Sequence, residues 1–107
     1  MTFVMERDGD VSAFDSIERA AIEVEGYDVN AGEYTLFCTV DGERLHPRLL
    51  DHVRVELLRT GEQALDQLIE LLRKHAARNH IDSDPSDPEA VARELLRRLP
   101  PGRHRRI

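Results

Sequence analysis

The sequence predicts an α+β fold: a three- to four-stranded antiparallel sheet with helices on one face, in the order β-α-β-β-β-α-α. Three observations predict it. Residues 33–40 alternate and run into Asp41-Gly42, a dipeptide typical of tight hairpins. Residues 62–79 carry apolar side chains at helical spacing. Asp87, Pro88 and Glu89 have the chemistry of N-cap, first helical position and first turn, announcing a last helix over 88–99.

In chain order, residues 2–6 read as a short strand ended by the Asp8-Gly9-Asp10 turn. Ser12 and Asp15 have capping-box spacing, which places a helix start there, and Phe14, Ile17, Ala21 and Val24 form its apolar stripe up to Gly26. After a loop at Asn30-Ala31-Gly32, Tyr34, Leu36, Cys38 and Val40 share one strand face, with Thr35, Phe37 and Thr39 on the other. A two-residue turn at Asp41-Gly42 then returns the chain over 43–49, where Pro47 argues for an edge strand or a bulge. Val53, Val55 and Leu57 alternate with Arg54 and Glu56 and favour a further strand over a helix. Thr60 with Gln63 resembles a capping box for the helix 62–79, whose stripe is Leu65, Leu68, Ile69, Leu72 and Ala76. Residues 1–99 form a single domain, and 100–107 are a flexible, arginine-rich tail.

A chain of 107 residues, 40% hydrophobic and without Trp, supports one core built from Leu, Val, Ile and Ala. The single Cys38 excludes an internal disulfide and suits a reducing compartment. With no signal-like N-terminus and no long apolar run, the expected location is the cytoplasm. The net charge of −6 is unevenly spread. Residues 1–47 carry 11 acidic and three basic side chains, a balance of −8, and the remainder is slightly basic. Such a field steers a charged partner.

The stretch from Glu18 to Leu45 contains an amphipathic helix, then Asp28, Val29, Gly32, Glu33 and Tyr34, then a strand and the Asp41-Gly42 turn. This D-V-x-x-G-E-Y pattern resembles an uncharacterised family of small actinobacterial α+β proteins. The resemblance implies a fold and a source and carries over no activity, cofactor or site residue. Fourteen arginines against one lysine, a mark of GC-rich coding, agree with that source.

Each cluster that resembles chemistry has a simpler structural reading. His75, His80, Asp82, Asp84 and Asp87 are metal-ligand types, but the two histidines are five apart and the acids sit in Asp-Pro and Ser-Asp turn chemistry. Arg73 and His80 lack the spacing and context of the Arg…His pair of helical-bundle RNases. Cys38 lies mid-strand, where a thiol behaves as a small hydrophobe, and a two-residue turn would put it opposite Leu45. No catalytic, cofactor or metal residues are therefore assigned, and no phosphate loop, nucleophile elbow or zincin motif is present.

Three function classes remain. The leading one is a non-enzymatic interaction module, of the immunity or antitoxin kind, that meets a basic protein through Glu18, Glu23, Glu25, Asp28 and Glu33. The second is a small enzyme or ligand-binding domain with a pocket between sheet and helices near Tyr34, His46, His75 and His80. The third is a weak nucleic-acid contact through Arg103, Arg105 and Arg106. Residues 2–6 are also a candidate strand for pairing in a dimer.

Overall fold

The computed structural model describes residues 1–98. It is an α+β structure with a five-stranded antiparallel sheet. The strands are β1 (Thr2–Glu6), β2 (Val11–Phe14), β3 (Tyr34–Thr39), β4 (Glu43–Leu49) and β5 (Val55–Gln63), in the spatial order β2-β1-β3-β4-β5. The helices are α1 (Ile17–Glu23), α2 (Gly26–Asn30), α3 (Leu65–Arg78) and α4 (Pro88–Arg98). The predicted order holds, with one strand and one short helix added.

Helices lie on both faces rather than one. Alternation along β1 sends Phe3 and Met5 into a core with Leu36, Cys38, Leu68, Leu72 and Val91, under α3 and α4. Val4 points the opposite way, into a second core with Phe14, Ala20, Phe37, Leu45, Val55 and Leu57, under α1. The single apolar face expected from the sequence is in fact two. Strand β1 lies between β2 and β3, so residues 2–6 have no edge to offer a dimer.

The added strand β2 displaces the predicted helix start. Ser12 pairs with Val4 in the β1–β2 hairpin, and Ser16 is the N-cap, its Oγ accepting from the Arg19 N–H at 3.0 Å. Gly26 does not end that helix but opens α2. In β3 the register shifts between Met5 and Glu6, so that Leu36 opposes Met5 while Tyr34 opposes Glu6. This bulge turns Tyr34 out of step with Leu36 and onto Phe37, with ring centroids 5.1 Å apart.

The β3–β4 turn also departs from expectation. Only Gly42, at φ +93°, is left-handed, and the Gly42 N–H donates to the Thr39 carbonyl. Asp41 keeps a negative φ, which rules out the two-residue type I′ turn and leaves a three-residue loop. Cys38 consequently opposes Arg44, and Leu45 joins Phe37 on the α1 side. Strand β4 matches its predicted bounds but is internal. It pairs with β3 only at Cys38–Arg44, so Pro47 sits where β5 is its one sheet partner and its missing N–H is harmless.

Residues 55–63 form a strand, as the alternation favoured, and it consumes the predicted helix start. Glu43 opposes Gln63 while Leu45 opposes Arg59, so β5 carries extra residues there. Side chains repair the irregularity: the Thr60 hydroxyl donates to the Arg44 carbonyl at 2.6 Å, and Glu43 accepts from the Gly61 N–H at 3.1 Å. Thr60 and Gln63 therefore belong to a bulge, not a capping box. Helix α3 buries Leu68, Leu72 and His75, while Leu65 is half-exposed. Asp87 caps α4 as expected, accepting from the Ala90 N–H at 3.2 Å.

A Cβ added at Gly42 would lie 2.8 Å from the Leu65 Cβ, besides occupying a left-handed conformation. Gly42→Ala should thus lose about 1–2 kcal/mol to backbone strain alone, and more as Leu65 is displaced. Urea denaturation of the two proteins measures the difference.

Candidate functional site

Among the described residues, four of the six exposed large hydrophobics, Tyr27, Leu49, Leu50 and Val53, lie where α2 meets the β4–β5 loop. Asp51 builds that loop. Its Oδ1 accepts from the Arg54 N–H at 2.7 Å and the Val53 N–H at 2.9 Å, and its Oδ2 from Arg54 Nε at 2.7 Å. These bonds, the Arg54 backbone one first, hold the Asp51 carboxyl down at about 2. The Leu50 N–H donates to the Arg54 carbonyl and closes the turn.

Helix α2 docks on this loop through the Gly26 N–H, which donates to the Val53 carbonyl at 2.8 Å. A Cβ at Gly26 would stand 2.6 Å from the His52 carbonyl oxygen, so only glycine permits the approach. Tyr27 then stacks on His52, ring centroids 6.2 Å apart and nearly parallel. The result is a groove of about 300 Å³ lined by Tyr27, Asn30, Leu49, Leu50 and His52. Tyr27 is 62% exposed, Leu50 51% and Val53 53%, an apolar cluster left in water.

The five acids expected to form one binding face differ in their surroundings. Glu25 and Asp28 flank Gly26-Tyr27 in the chain, two residues of the groove's lining. Glu23 turns inward, its side chain only 6% exposed, against Arg19 at 3.6 Å. Glu33 is paired with Arg7 at 3.2 Å. Glu18 is exposed at the opposite end of α1. Sequence reasoning missed the groove itself. Its signal was Leu49-Leu50, since adjacent residues of a strand cannot both face the same core.

The His/Asp cluster is a scaffold. Glu94, buried and unforeseen, accepts from the Asp82 N–H at 2.9 Å, the Ser83 N–H at 2.7 Å and the Ser83 hydroxyl at 2.6 Å, with Arg98 beside it. The Ser83 hydroxyl first, then these amides, pull its carboxyl down to about 2. Asp84 accepts from the Ser86 N–H, Asp87 caps α4, and His80 pairs with Asp82 at 3.1 Å. His75 is buried, its Nδ1 3.1 Å from the Asn79 amide. Among the described residues, the one group with ligand atoms within 4.8 Å is Glu6, Asp8 and Asp10. It is largely exposed, and Asp8 already accepts from the Asp10 N–H.

Cys38 is fully buried, and desolvation pushes its thiol up to about 11. His46 is exposed and Cys38 opposes Arg44, so the strand register does not bring His46 to the thiol. Arg103, Arg105 and Arg106 lie outside the described residues. No helix among the described residues is long and apolar enough to cross a membrane.

The described residues form an α+β fold with one exposed apolar groove where α2 meets the β4–β5 loop. No family model, no curated protein and no solved structure matches the chain.

Two outcomes follow from these environments. Glu94 is depressed from 4.5 to about 2, so its contribution to stability is full above pH 4.5 and is lost as the pH falls toward 2. Glu94→Gln should flatten that part of the acid-unfolding curve followed by circular dichroism. A thiol-exchange reagent should modify Cys38 slowly in the native protein and rapidly in denaturant, and fast native labelling would contradict the buried reading.

Proposed function

We propose that this chain is a non-enzymatic, cytoplasmic interaction module, of the immunity or antitoxin kind, that binds a basic protein. The observation that supports this is the groove of Tyr27, Leu49 and Leu50, with Glu25 and Asp28 flanking Gly26-Tyr27 of its lining in the chain. Interfaces combine an apolar, aromatic centre with a polar rim, and rim charge governs encounter and partner choice. Acids at the border favour a partner that offers an apolar anchor within a basic surface. The reading keeps Glu25 and Asp28, and Glu18 more remotely, from the acidic half. It gives Glu23, whose side chain is turned inward, no part in the contact.

The enzyme reading has less to support it. Tyr34 packs on Phe37 and His75 is buried, and neither they nor His46 and His80 line the groove.

The test compares capture from the native host by the intact protein, by Leu50→Glu and by Glu25→Lys/Asp28→Lys. A basic protein should be retained by the intact chain and released as salt rises. Leu50→Glu should cost at least about tenfold in affinity, the loss expected when a buried anchor worth more than 1.4 kcal/mol is removed. The charge reversal should act mainly on the association rate. Salt-insensitive binding, or binding indifferent to Leu50→Glu, would refute the assignment.

A further inference from the structure

We draw no further inference here: the strongest candidate, the cavity of about 240 Å³ between the β1–β2 turn and α3, takes Glu6 and Asp8 of its lining from the largely exposed acidic cluster of Glu6, Asp8 and Asp10, and no second observation among the described residues points to a ligand there.

Discussion

The structure depends on a strand of five residues that serves two cores at once. Thr2, Phe3, Val4 and Met5 are all buried, with Phe3 and Met5 under α3 and α4, and Val4 under α1. β1 is paired along both edges, with β2 and with β3. Because side chains alternate strictly, a slip of one residue would exchange the two cores' contents and strand Phe3 among the wrong neighbours. The bulge opposite Met5 and Glu6 ends this strict zone. Beyond it Tyr34 and Thr35 are released from the alternation, and β3 leads back to the loop at Gly32.

Much of this plan was legible. The bounds of β1 and β4, the course of β3 to within a residue at each end, the strand at Val55 and Leu57, and the capped helix α4 follow from alternation, turn residues and Asp87-Pro88 chemistry. The misreadings share a cause. Capping-box spacing at Ser12/Asp15 and Thr60/Gln63 is local, whereas the roles of those residues are set by pairing with Val4 and by repair of the bulge at Glu43. Asp41-Gly42 is local in the same way: the dipeptide signals a turn but leaves the φ of Asp41, and with it the loop length, undetermined. That single residue moved Leu45 from one core to the other.

The candidate surfaces were less legible than the fold. Negative charge in the first half of the chain was visible, but its partition was not. Whether an acid is a rim group, an internal ion pair or a turn builder depends on where an arginine from elsewhere arrives, as Arg7 does at Glu33. Glu94 is the extreme case. Its spacing places it in a polar helix, yet it is buried because the backbone of Asp82 and Ser83 needs an acceptor. The groove is the converse, apolar side chains left in water by a loop that Asp51 fixes.

The double-sided burial of β1 also bears on how the chain is made. β1 and β2 are close in sequence and can form their hairpin early, but the β1–β3 pairing must wait for residues 34–39, after a loop of some length has closed. Until then one edge of a strongly apolar segment, Thr2–Met5, is open to any other extended chain. Glu6, Asp8 and Asp10 stand immediately beside it. Like charges massed at the end of an open strand repel a second copy of the same strand, whatever those side chains do once the sheet is complete.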